Sequence, residues 1–193
     1  MSQTAEYIKR LSDLQEGERS RLRRLAGRPL DATLQGFDLF TGLWWPLRAK
    51  SPATPRREPS WLVAKLFGAF RVPHIRPDSG AGPSLPKILG RCEPCDPPEF
   101  KSRNRFRKRF DALLCSPLSA LEPNLRWALG EVAQVVAGHV PHVRDVKGID
   151  WEQLLDDLSI WERGEVHCRG RDVRDIWAET YLNAVKKERR ILK

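Results

Sequence analysis

The chain holds 193 residues, 40% of them hydrophobic, with 34 Lys and Arg against 25 Asp and Glu for a net charge of +9. That apolar share suffices to bury a core, no apolar run reaches the roughly 18 residues of a membrane span, and Met1 to Glu6 lack the features of a secretion signal. Disorder, a membrane protein and an exported protein are therefore excluded as expectations, leaving a soluble cytoplasmic chain.

In the first half, Tyr7, Ile8, Leu11 and Leu14 recur at the three- and four-residue steps of an amphipathic helix. A second short helix is predicted from about Glu18 to Ala26, with Leu22 and Leu25 inward and Gly27 and Pro29 stopping it. Gly36 to Trp45 carries Phe37, Phe40, Leu43, Trp44 and Trp45, too apolar for a surface loop, and Pro46 is expected to end it. Residues 46–98 contain 11 of the 15 prolines, so helices there stay short. Trp61, Leu62, Leu66 and Phe70 mark one, Leu85 to Leu89 another, and Val72 to Pro83 between them reads as an exposed loop.

From Glu99 the pattern becomes regular. Phe106, Phe110, Leu113 and Leu114 define a helix ended by Ser116-Pro117, and Leu121, Leu125, Ala128, Leu129, Val132 and Val136 define the next. Trp151, Leu154, Leu155, Leu158 and Trp161 define a third, with Asp150 at its N-cap and Gln153 three residues on. Val173, Ile176, Trp177, Tyr181 and Ala184 define a fourth. No run of alternating apolar residues suggests a sheet. The prediction is an all-α fold of two small helical parts. Residues 1–98 form one, with Pro-rich loops, and 99–193 form an antiparallel four-helix bundle.

The charge is unevenly placed. Residues 150–193 carry 9 basic and 10 acidic side chains, leaving 25 and 15, a net +10, for residues 1–149. A basic body of this kind suits a polyanionic partner, most often nucleic acid. The densest basic run is Lys101, Arg103, Arg105, Arg107, Lys108 and Arg109. At about 100° per residue, Lys101, Arg105 and Lys108 fall within about 60° of one another opposite Phe106 and Phe110, with Arg109 beside them. The stripe is roughly 10 Å long, enough to meet two neighbouring phosphates. Arg103 and Arg107 flank the apolar face, where long stems snorkel. Arg23 and Arg24 form a second outward pair within Arg19 to Arg28.

Other residues point to less. Cys92 and Cys95 have the spacing of half a zinc site, but a second close pair is missing, and reduced surface thiols are the simpler reading. Trp151, Trp161 and Trp177 sit on apolar helix faces as core residues, whereas adjacent Trp44 and Trp45 cannot both turn inward and suit a protein interface. His74, His139, His142 and His167 have no nearby nucleophile with an orienting carboxylate, and Asp156 and Asp157 diverge by about 100° on a helix. Neither an enzyme nor a cofactor is expected.

Several blocks carry a resemblance in one consistent order. They are Lys108-Arg109-Phe110 to Leu113-Leu114, Leu125-Arg126, Gly148-Ile149-Asp150-Trp151, Leu154 to Leu158 with Trp161, and Val173, Trp177-Ala178 and Tyr181. Across about residues 105–182 the chain resembles the small subunit of the type I-E CRISPR surveillance complex, the CasB family. Leu22-Arg23-Arg24, Leu62-Val63-Ala64 and Leu85 to Gly90 agree more loosely. The resemblance implies a non-catalytic, all-helical Cascade subunit, present as a pair of copies beside large and backbone subunits that hold the guide RNA. It also implies contact with target and displaced DNA strands, stabilising the R-loop without reading sequence. Lys101, Arg105, Lys108 and Arg109, helped by Arg23, Arg24 and Arg126, are the residues expected to hold the sugar-phosphate backbone. Two alternatives stay open at this point. One is a protein-only scaffold whose basic faces meet acidic faces of neighbouring subunits; the other is a zinc-stapled regulator of duplex DNA using Cys92 and Cys95.

Overall fold

The computed structural model describes residues 2–28, 37–75, 83–94, 100–143, 145–163 and 171–191. Among these the chain forms nine α-helices: α1 (Gln3–Ser12), α2 (Glu16–Arg24), α3 (Phe37–Lys50), α4 (Arg57–Ala69), α5 (Leu85–Cys92), α6 (Phe100–Cys115), α7 (Glu122–Val136), α8 (Trp151–Ser159) and α9 (Val173–Ile191). A 3-10 turn, Leu118–Ala120, precedes α7. The fold is all-α, and none of the described helices is long and apolar enough to cross a membrane.

Local chemistry sets the helix ends. The Ser2 hydroxyl accepts the Ala5 N–H at 3.0 Å and opens α1. At α2 the Gln15 N–H donates to the Glu18 carboxylate at 2.9 Å, one arm of a capping box. Gly27, with φ of 76°, turns the chain after α2 in a conformation that disfavours any residue bearing a Cβ. At α8 the predicted cap forms, the Asp150 carboxylate accepting the Gln153 N–H at 3.0 Å.

Pro46 does not end α3, contrary to expectation; the helix runs through it to Lys50. A proline inside a helix loses one backbone hydrogen bond. Leu43 and Leu47, one turn apart and both buried, anchor the helix on either side of that loss. Trp44 is half-buried and donates its indole N–H to the Pro55 carbonyl at 2.9 Å, while Trp45 is 58% exposed.

Pro59 to Phe67 on α4 are all buried, because α4 packs against α2, α3, α7 and α8 at once. A helix apolar on every side belongs at the centre of a fold. Its one buried cation, Lys65, donates to the Arg28 carbonyl at 2.9 Å and to the Glu122 carboxylate at 2.5 Å, tying α4 to α7. Glu122 also accepts the Gly27 N–H. The pairing partly offsets what burying a lone ammonium would cost.

The boundary expected at 98–99 falls outside the described residues. Helices on its two sides share one apolar cluster running from Tyr7 to Val185. α9 packs most extensively on α5, α8 on α1 and α4, and α6 on α7 and α9. The four-helix grouping expected for the second half is thus shared with α1, α4 and α5. Trp151, Trp161 and Trp177 are core residues as predicted, each at most 1% exposed.

The stretch expected to be an exposed loop starts instead as a stitch. Val72 is buried, and its carbonyl accepts the Trp151 indole N–H at 3.0 Å. The Ile149 N–H donates to the Pro73 carbonyl at 3.0 Å, and the Ile75 N–H to the Ile149 carbonyl at 2.9 Å, making a single parallel bridge of His74 with Ile149. Gly148 lies against this bridge, where an added Cβ would collide with the Pro73 carbonyl and approach Ile75 to 2.8 Å. Residues 76–82 of the expected loop lie outside the described residues.

Candidate nucleic-acid interface

The apolar side of α6 fixes where its cations point. Phe106, Phe110 and Leu113 are buried, Phe106 packing edge-on to Trp127 at 5.0 Å and Phe110 stacking on Tyr181 at 4.0 Å between ring centroids. Arg105, Lys108 and Arg109 are exposed, Lys108 opposite these contacts and Arg109 at their edge. The Lys101 side chain lies outside the described residues.

A neighbouring helix, α7, packs beside this face. The Arg109 guanidinium stands 5.8 Å from the Trp127 ring centroid, a cation–π arrangement across α6 and α7. Arg126, beside Trp127 in the chain, is exposed. The structure therefore brings Arg105, Lys108 and Arg109 onto one helix and Arg126 onto the helix packed against it. Arg23 and Arg24 are also exposed, but on α2, which packs on α4. They form a separate basic surface, where Arg23 lines a cleft with Arg19 and Arg71.

Arg107 has a different task from its neighbours. Its Nε and Nη2 each donate at 2.8 Å to the two oxygens of Glu93, a carboxylate with no solvent exposure. Arg189 of α9 donates to the same carboxylate at 2.6 Å, and the Tyr181 hydroxyl at 2.5 Å. Burial alone would raise the Glu93 carboxyl. The Arg107 and Tyr181 hydrogen bonds and the charges of Arg107 and Arg189 outweigh it and hold the group below its usual range. Burial, and then the adjacent carboxylate, push the Tyr181 phenol upward. This junction ties α6 to α9 through Glu93. Sequence reasoning placed Arg107 at the edge of the core but missed Glu93. A Glu between two cysteines in a Pro-rich stretch gives no local sign of partners 14, 88 and 96 residues away.

The cysteine pair is resolved in part. Cys92 is buried at the end of α5, not the surface thiol expected, and burial pushes its thiol up to about 12. Leu85, Ile88 and Leu89 share its apolar face, and that accounts for its position. Cys115 is exposed, while Cys95 and Cys168 lie outside the described residues.

Residues 18–182 match the family model described as CRISPR-associated protein Cse2. A CRISPR-associated protein of the Cse2 family from Thermus thermophilus has a solved structure to which the chain is 26% identical, with a TM-score of 0.63 over 95% of this chain and 99% of that one. CasB from M. ruber shares the fold at 18% identity, with a TM-score of 0.67 over 98% of both chains. Among curated proteins, none matches this sequence closely enough to count as a relative.

Proposed function

Since the chain belongs to the CRISPR-associated protein Cse2 family, the small subunit also called CasB, we propose that it is a non-catalytic subunit that holds DNA strands by their backbone and so stabilises the R-loop. The observation that carries this reading is the α6 face, where Arg105, Lys108 and Arg109 are exposed while Phe106, Phe110 and Leu113 are buried, with Arg126 on the adjoining helix. Lys101 extends the same stripe by sequence, and Arg23 and Arg24 supply the second basic surface.

Exposed cations suit this task for a physical reason. A strand opened by guide pairing must be held whatever its bases, and phosphates are the feature every nucleotide shares. Each neutralised phosphate releases condensed counterions, which supplies affinity and makes it depend on salt. Exchanging a DNA duplex for a guide–target duplex is nearly balanced, so a few backbone contacts are enough to tip it. The partners implied are the large and backbone subunits, the guide RNA they carry, both DNA strands and a second copy of this chain.

The test is a triple Arg105→Ala, Lys108→Ala, Arg109→Ala variant assembled into the effector complex. R-loop yield should fall, and the slope of log affinity against log salt for single-stranded DNA should shrink by about 2, at roughly 0.7 per lost phosphate contact. R-loops that form unchanged at several salt concentrations would overturn the assignment of this face.

A further inference from the structure

An open cleft of about 560 Å³ lies between α2 and the segment that follows α4. Its size is within the range of about 300–1,000 Å³ that accepts small ligands. Arg19 and Arg23, one helical turn apart on α2, line it together with Arg71, and Phe70, Pro73 and His74 add ring surface.

The three arginines differ in how firmly they are held. Arg19 is fixed, its Nε donating to the Leu14 carbonyl at 3.0 Å and its Nη2 to the Ser12 carbonyl at 2.6 Å, with its guanidinium 5.7 Å from the Phe67 ring centroid. Those bonds use two of the five donors a guanidinium carries. Arg23 is exposed and donates to the Ser20 hydroxyl at 3.3 Å. Arg71 pairs with Glu16 at 3.1 Å, with the two side chains 84% and 64% exposed. So exposed a pair is weak, and an arriving phosphate can take Arg71 over. Glu16 is the only carboxylate among the described residues lining the cleft, so the three arginines leave it net positive.

We infer that this cleft seats one nucleotide of single-stranded DNA, its phosphate on Arg23 and Arg71 and its rings against Phe70 and Pro73. A site for bare phosphate has no use for ring-lined walls, and an apolar ligand has no use for three guanidinium groups. A nucleotide needs both. The inference rests on the strand-holding reading above and adds to it a seat carried by different helices from the α6 face. Such a seat fixes the position of one nucleotide, whereas the α6 stripe holds backbone without regard to position.

The test titrates thymidine monophosphate, thymidine and inorganic phosphate into the purified full chain, followed by NMR, with circular dichroism confirming the fold of each variant. Thymidine monophosphate should bind about tenfold more tightly than either fragment, the gain over thymidine being a charge-assisted contact and the gain over inorganic phosphate the packing of the nucleoside on Phe70. An Arg23→Ala, Arg71→Ala variant should lose about that factor, and Phe70→Leu should lose the preference over inorganic phosphate. The triple α6 variant should keep monophosphate binding while weakening thymidine oligomers. Monophosphate binding no tighter than inorganic phosphate, or unchanged by Arg23→Ala, Arg71→Ala, overturns the seat. If oligomers still depend on α6 in that case, the strand-holding proposal survives alone. If oligomers ignore α6 while the monophosphate depends on Arg23 and Arg71, the seat survives and the α6 assignment fails.

Discussion

Glu93 has no contact with solvent, yet Arg107, Arg189 and Tyr181 all donate to it. Removing a buried carboxylate strands the charges that faced it, so Glu93→Ala should cost about 3 kcal/mol. In a chain of this size that lowers Tm by roughly 6–12 °C. Glu93→Gln, which keeps an acceptor, should cost less, and calorimetry of the two variants checks the order. Asp157 shows the opposite electrostatics. Burial raises its carboxyl from an ordinary 3.8 to about 7, Asp156 and Asp150 add to the rise, and the hydrogen bond from the Trp177 indole opposes it. The folded protein therefore binds this proton more tightly than the unfolded chain does. Its favourable contribution is complete at pH values below 3.8 and is lost as pH rises through about 7. Asp157→Asn keeps an acceptor for Trp177 without the charge. Its Tm should exceed the wild type by a few degrees at pH 8, and the gap should shrink toward pH 5. Glu93, held below its usual range, loses its contribution only under more acidic conditions, whereas Asp156, also raised by burial, acts in the same direction as Asp157. The sequence showed that Asp156 and Asp157 do not converge. It did not show that burial raises both carboxyls, because the surroundings that bury them come from distant segments, for Asp157 from α9, 20 residues away.

Single helices were the most legible scale. The positions of Phe106, Phe110 and Leu113 alone placed Arg105, Lys108 and Arg109 on the solvent side of α6, because helical periodicity is a local property. The Asp150 cap was legible for the same reason. Pro46 misled, since its local effect was outweighed by burial of Leu43 and Leu47. Gly27 was legible as a helix stop, but Gly90 was not, because what it accommodates is another helix. At Gly90 a Cβ would collide with the Tyr181 carbonyl of α9 and come within 2.8 Å of the Ala184 Cβ. Gly90→Ala should therefore destabilise the protein by about 2 kcal/mol through overpacking. Alanine's better helix propensity, about 1 kcal/mol, works against that loss without cancelling it. Gly42 in α3 is the control. Nothing would lie within 4 Å of its Cβ. Gly42→Ala should raise stability by up to about 1 kcal/mol, so urea midpoints of the two variants should move in opposite directions.

On the scale of the whole molecule, the sequence yielded the helical class and the basic body but not which helices meet. Helices before and after residue 98 meet, α5 with α9 and α4 with α8. Such pairings depend on surfaces that become complementary only after folding. One apolar cluster joins Trp61 with Trp161 and Trp177. Tryptophan fluorescence and circular dichroism should therefore report a single urea transition with coincident midpoints, and two separated steps would show independent halves. The stitch between His74 and the start of α8 bears on kinetics as well. Its bond from the Trp151 N–H to the His74 ring links positions 77 residues apart. Bringing the ends of so long a loop together costs about 4 kcal/mol of chain entropy before any contact forms. Such a closure belongs late on the folding route, after the more local helix pairs have docked. Lesions at Gly148 should accordingly hasten unfolding while leaving the refolding rate nearly unchanged, which makes this small bridge a governor of how long the native state survives.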